Sequence, residues 1–225
     1  MPIAIGGISV PDSKLAREIA KLVRDTESPL LFHHSSRVFY WGALTGVRRG
    51  VTFDAELLYA GAMFHDMGLM HRHSSPNERF EVDGANAARD FLRGHGISQQ
   101  DIDTVWTAIA LHTTPGIPQH MHPVVALVTA GVEMDVLGIA YSESRDAERE
   151  AVVQAHPRSS RFKEDIIQAL LRRHQAKAAH HLWQRQGRRA RRQGSALHAQ
   201  QFLQRNPRLR LARVSIHRHR QQPRS

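Results

Sequence analysis

Apolar residues recur at the spacing of an amphipathic helix along most of the chain, and no stretch sustains the alternation of a half-buried strand. Serine, aspartate or proline precedes several of these apolar runs, as is typical of helix starts. The first predicted helix begins at Asp12-Ser13, and the others span residues 30–43, 55–67, 80–93, 98–112, 124–135 and 162–171. We therefore predict an all-α fold.

The third predicted helix carries the most informative residues, because its apolar face ends in the adjacent pair His65 and Asp66. Asp54 is the expected N-cap of this helix. His65 follows Leu58 by seven residues and Gly61 by four, so it continues the inward face. Neighbouring helix residues point about 100° apart, yet at a helix end both can reach one ion. The pair therefore predicts a metal site.

Two more polar residues lie on apolar helix faces far from this pair in the sequence. His34 shares a face with Leu31 and Val38, and Asp135 follows Gly131 by four residues. Burying a carboxylate is costly unless the group is paired or ligates a cation. We therefore predict that these two residues join the pair in holding one divalent cation.

Two imidazoles and two carboxylates suit a catalytic ion better than a closed structural site. The two carboxylates neutralise the charge of a divalent ion, and the histidines ligate in their neutral form. The set leaves coordination positions open for water and substrate. A bound ion lowers the pKa of its water from about 15.7 to about 7. The chain has no cysteine, which excludes disulfides and thiolate ligands and favours a hard or borderline metal.

Three other residues are candidates for the chemistry around the ion. His112 ends the apolar face formed by Val105 and Ile109, and it could transfer a proton or polarise the group under attack. Arg37 is a candidate substrate-binding residue, or else it anchors its helix to a carboxylate. Glu81 is a candidate substrate-binding residue or general base, or else a surface or capping residue.

The charge is divided unevenly along the chain. The net charge is +10, yet residues 1–172 carry 17 Lys and Arg against all 21 Asp and Glu. Residues 173–225 carry 14 basic residues, no acid and no sustained apolar period. We predict a helical domain over residues 1–172 and a disordered tail over residues 173–225, through which any nucleic-acid binding would be non-specific.

The composition of the tail also suggests a second origin. One choice of codons for residues 180–187, read one base later, encodes a more ordinary protein sequence, although those codons are chosen to fit. We therefore hypothesise a frameshift in the gene or its sequencing near residue 172. Sequencing of the locus tests this hypothesis, and an intact reading frame throughout would contradict it.

The apolar runs are too short to cross a bilayer. Residues 1–10 are apolar, but they lack the basic n-region and the small-residue cleavage site of a secretory signal. We expect a cytoplasmic protein that acts on a small-molecule substrate, and we leave a homo-oligomer open.

Three motifs, in order along the chain, carry a family resemblance. His34-x-x-Arg37, Phe64-His-Asp-x-Gly68 and Asp135 together resemble the signature of the HD-domain metal-dependent hydrolases. The resemblance covers residues 28–140 and implies an all-helical bundle with a metal site at its centre, with phosphohydrolysis as the commonest chemistry. The metal ligands that it implies are His34, His65, Asp66 and Asp135.

Within that superfamily the chain is most similar to the cyanamide hydratase-like branch. The supporting segments are Phe80-Glu81 with residues 84–87, residues 108–113 and residues 135–138. The similarity implies hydration of cyanamide to urea on one divalent ion. We predict Asp66 and His112 as the catalytic residues. We expect the ion to be zinc, with iron, manganese, cobalt and nickel as alternatives. The chain departs from the branch at residues 84–88, which contain no histidine, and beyond residue 172.

Three alternatives stay open. A phosphohydrolase of nucleotides or other phosphoesters would use the same site but needs cationic groups to hold phosphate. A nucleic-acid-binding protein would depend on the tail, and its salt-sensitive binding would disappear on truncation at residue 172. A helical shell of this kind could also bind a metal or ligand without turnover.

Overall fold

The structure is a computed structural model that describes residues 4–171, and their regular secondary structure is helical apart from one bridge between Ile5 and Ile8. The helices are α1 (Lys14–Thr26), α2 (Pro29–Arg48), α3 (Ala55–Phe64), α4 (Phe80–Gly94), α5 (Gln99–Leu111), α6 (Pro123–Leu137), α7 (Asp146–Ala155) and α8 (residues 162–171). The predicted all-α fold is confirmed. The predicted tail lies outside the described residues.

The helix starts follow the local signals in the sequence. Ser13, Ser28, Asp54 and Ser98 are the N-caps of α1, α2, α3 and α5, and each side chain accepts a backbone N–H from the first turn. These caps satisfy donors that a helix otherwise leaves without a partner. The starts could therefore be predicted one helix at a time.

Helix α2 lies at the centre of the bundle and packs against α3 and α6. Its contact with α6 is close because Gly131 has no side chain: a Cβ there would lie 2.3 Å from Val38 O. Helices α4 and α5 pack on each other, and α5 also packs on α3 and α6. The close approach of α2 and α6 brings His34 and Asp135, one from each helix, into contact.

The structure corrects the ends of two predicted helices and adds a helix that was not predicted. Helix α3 ends at Phe64 rather than at residue 67, so His65 and Asp66 belong to the turn that follows. Helix α2 continues through Gly46, where the absent side chain leaves room for Phe53. The charged segment after residue 142 contains helix α7, which buries Val152.

None of the helices within residues 4–171 combines the length and apolarity that crossing a membrane requires.

Candidate metal centre

Three of the four predicted ligands converge at one point. His34 comes from α2, His65 is the C-cap of α3, and Asp66 begins the turn that follows. One ligand atom from each residue lies within 4.8 Å of the other two, and all three residues are buried. Within residues 4–171, no other group of three histidine or acidic residues meets this criterion.

The spacing of the three atoms fits a single ion. His34 Nε2 and His65 Nε2 are 3.2 Å apart, and Asp66 Oδ2 lies 3.4 Å from His65 Nε2 and 3.7 Å from His34 Nε2. Metal–nitrogen bonds of about 2.0–2.1 Å separate two ligands of a tetrahedral ion by roughly 3.3 Å. The cluster therefore has the dimensions of one coordination sphere.

Both imidazoles offer Nε2 because their Nδ1 atoms have other partners. His65 Nδ1–H donates to Ala62 O at 2.7 Å, and His34 Nδ1–H donates to Asp135 Oδ2 at 2.7 Å. Such partners fix the tautomer and the ring orientation of a ligating histidine. Burial lowers the pKa of His65 to about 3, so the ring is neutral at pH 7, as ligation requires.

The turn that carries Asp66 is held against α4 by a close backbone approach. A Cβ on Gly68 would lie 2.0 Å from Phe80 O and 2.7 Å from Gly84 N. Only glycine fits there, because any side chain would collide with the main chain of α4. The Phe64-His-Asp-x-Gly68 motif therefore combines two of the clustered residues with the glycine that fixes their turn.

Asp135 contacts Nδ1 of His34, the nitrogen that does not enter the cluster. Its carboxylate also accepts N–H groups from Arg37 at 2.8 and 2.9 Å and from Trp41 Nε1 at 2.9 Å. Although burial opposes ionisation, the hydrogen bonds from His34 and Arg37 hold the pKa of Asp135 well below its usual range. Asp135 thus orients His34, and the structure does not bring it into the three-residue cluster. Its direct ligation stays a prediction.

Arg37 is fully buried, and its guanidinium forms an ion pair with Asp135. Its Nη1 donates to the carbonyls of His156 and Pro157 at 3.0 Å each. The guanidinium also lies over the ring of Phe162, 4.7 Å from the centroid. These contacts agree with the anchoring alternative, and substrate binding by Arg37 finds no support in its position.

His112 lies beside the cluster, with its ring centroid 4.9 Å from that of His65. Its Nδ1–H donates to Ile109 O at 2.6 Å, so Nε2 is left as an acceptor. Burial lowers the pKa of His112, which keeps the ring neutral at pH 7. The predicted role in proton transfer therefore corresponds to a base rather than an acid.

Glu81 is linked to the site by a hydrogen bond from Thr113. Its buried carboxylate accepts the Thr113 hydroxyl at 2.5 Å and forms an ion pair with Arg79. Although burial raises it, hydrogen bonds from Arg79 and Thr113 bring the pKa of Glu81 below its ordinary value, so the group is ionised at pH 7. Glu81 thus positions Thr113, and its predicted contact with substrate would be indirect.

A cavity of about 300 Å³ opens on His34, His65 and Asp66. The remaining lining residues are Phe80, His112, Thr113, Thr114, Pro115, Val132, Glu133, Val136, Leu137, Ile166 and Leu170. None of these described lining residues is Lys or Arg. The contribution of α8 was not predicted from the sequence, where the spacing of Ile166 and Leu170 by four residues is the only signal.

Sequence comparisons agree with this geometry. The profile of the HD domain family matches residues 31–212 of the 225-residue chain, a range that includes the whole cluster. The match extends beyond residue 172, into the segment where the sequence motifs predict no family resemblance. The boundary between residues 172 and 173 stays a prediction. No curated protein matches the chain.

Proposed function

The chain belongs to the HD domain family, and on that premise we propose that it is a metal-dependent hydrolase that hydrates a carbon–nitrogen triple bond, as in the cyanamide hydratase-like branch. The observation that supports hydration is the character of the cavity. Its described wall is mainly apolar and includes the carboxylates of Asp66 and Glu133 but no Lys or Arg.

A phosphoester substrate would need a different wall. Besides a metal ion, transfer of a phosphoryl group depends on cationic side chains or amide groups that hold its anionic oxygens. Arg37 is fully engaged with Asp135 and two carbonyls, and the charge of Arg79 is paired with Glu81. An uncharged nitrile needs only a shaped pocket, a polarising group and a base.

His34, His65 and Asp66 would hold the ion, which when bound acidifies a water molecule and polarises the substrate. His112 would move the proton, because its neutral ring leaves Nε2 as the acceptor. Nε2 would take one proton from the attacking water while a C–O bond forms and one C–N π bond breaks, and it would return that proton to the former nitrile nitrogen. The resulting isourea then transfers its hydroxyl proton to nitrogen. Cyanamide and water thus give urea, with no other product.

The test is a product assay on the purified full chain supplied with zinc. We expect cyanamide to give urea without ammonia, and a panel of nucleotides and phosphoesters to release no phosphate. His112→Gln should lower kcat by about 10²–10⁴-fold with metal content unchanged. The exposed residue His120 provides the matched control, since His120→Gln should leave kcat unchanged. Phosphate release without urea would instead establish the phosphohydrolase alternative.

A further inference from the structure

The geometry points to a substrate larger than cyanamide: an uncharged compound that carries its C≡N group on an apolar substituent, such as an N-alkylcyanamide. This inference rests on the proposed hydration reaction and adds the substrate class. It is carried by the volume of the cavity beside the cluster, by the chemistry of its wall and by the sign of its charges.

The cavity is too large for cyanamide alone. The space that the described residues enclose is about 300 Å³, many times the roughly 10–15 Å³ that one water molecule needs. Cyanamide has only three non-hydrogen atoms and would take the space of about two waters. A C≡N group near the cluster would therefore leave most of the cavity for the rest of the molecule.

The wall away from the cluster is apolar and comes from three helices. Phe80 begins α4, Val132 and Val136 lie on α6, and Ile166 and Leu170 lie on α8. Each methylene buried against such a wall strengthens binding by about fourfold. An alkyl or aryl substituent therefore gains affinity here that cyanamide cannot.

The charge of the wall outside the three-residue cluster selects against anions. Glu133 lines the cavity there, and no Lys or Arg is among the described lining residues. An anionic substituent beside Glu133 would face its carboxylate with no cation from the described wall to offset it. The favoured substituent is therefore uncharged as well as apolar.

The atoms and bonds of the hydration reaction also balance for an N-alkylcyanamide. Water adds across the C≡N bond of an N-alkylcyanamide, one C–O bond forms, one C–N π bond breaks, and both protons of the water end on nitrogen. The product is the N-alkylurea. No oxidant, reductant or second substrate is needed.

Binding of the reaction products, N-alkylureas, tests the inferred substrate class without relying on turnover. The zinc-supplied full chain is titrated calorimetrically with N-alkylureas of increasing chain length and with alkyl phosphates of the same chains. We expect affinity for the ureas to rise about fourfold per methylene until the cavity is full, and N-butylurea to bind more tightly than butyl phosphate. Affinity that does not depend on chain length, or tighter binding of the phosphate, would overturn the inference.

Two substitutions at Leu170 distinguish a change in the size of the cavity from loss of the fold. Leu170→Trp narrows the cavity, so the N-alkylurea that binds most tightly should be shorter by several methylenes. Leu170→Ala widens the cavity, so the most tightly bound N-alkylurea should be longer. Loss of fold would weaken binding in both variants alike. The adjacent Leu171 is 44% exposed and does not line the cavity, so Leu171→Trp should leave the preferred chain length unchanged. An unchanged preference in both Leu170 variants would contradict the assignment.

The same experiments distinguish failure of the inference from failure of the proposed function. Chain-length-dependent binding of ureas without hydration of any N-alkylcyanamide would support the ligand class and overturn the reaction. Hydration of cyanamide with no gain in kcat/KM for its N-alkyl derivatives would support the reaction and overturn the inferred substituent.

Discussion

Gly68→Ala is the sharpest test of how the chain builds its metal site. The added Cβ would lie 2.0 Å from Phe80 O, 2.7 Å from Gly84 N and 2.9 Å from Asp83 Cβ. An ordinary carbon–oxygen contact is about 3.5 Å, so the turn and α4 must separate by more than 1 Å. Overpacking costs typically about 1–3 kcal/mol. We expect about 3 kcal/mol here, because two of the colliding atoms belong to the backbone.

The assay is urea denaturation of wild type and variant, followed by circular dichroism, with a metal titration of each. The variant should lose about 3 kcal/mol of unfolding free energy. It should also bind zinc more weakly, because Asp66 lies two residues from the strained position. Gly94 is the matched control: a Cβ there would meet nothing within 4 Å, so Gly94→Ala should be neutral or stabilise by up to about 1 kcal/mol. A Gly68→Ala variant within about 0.5 kcal/mol of wild type would refute the packing argument.

Two further predictions concern buried charges. Asp135→Asn leaves the fully buried Arg37 without its counter-charge and should cost about 3–5 kcal/mol in urea denaturation, whereas breaking the exposed Lys21–Asp25 pair with Asp25→Asn should cost less than about 1 kcal/mol. Burial, with His33 and Arg37 nearby, lowers the pKa of His156 to about 4. Because the unfolded chain binds a proton that folded His156 rejects, stability should fall as the pH drops from about 6.5 to about 4. Allowing for partial exposure, the part of this loss due to His156 should be about 1–2 kcal/mol, and the pH dependence of His156→Gln should be smaller than that of wild type by this amount. The pKa values of His65 and His112 are also lowered, and these residues contribute to both proteins alike.

Local signals in the sequence were sufficient for the helices and for most of the cluster. N-caps and apolar spacing are read within one or two turns, and they placed His34, His65 and Asp66 on inward faces before any contact was known. The ligand types then favoured convergence on one cation, because a buried carboxylate is costly unless it is paired or ligates a cation. The structure brings these three residues together.

Features that depend on contacts between distant segments could not be predicted in this way. Helical spacing put Asp135 on the inner face of α6, but it could not show that the carboxylate would meet Nδ1 of His34 and the N–H groups of Arg37 and Trp41. The wall from α8 likewise depends on how the chain returns after α7. Helix α7 is not among the predicted helices because its segment is rich in charged residues and buries only one residue, Val152.

The most direct test of the central claim is the metal content of the purified full chain, measured by mass spectrometry beside Asp66→Ala and Glu133→Ala. Both carboxylates line the cavity, but only Asp66 belongs to the three-residue cluster. With equal helicity in all three proteins, we predict about one divalent ion per chain in wild type and Glu133→Ala and almost none in Asp66→Ala. Equal metal content in Asp66→Ala and wild type would contradict the assignment of the site.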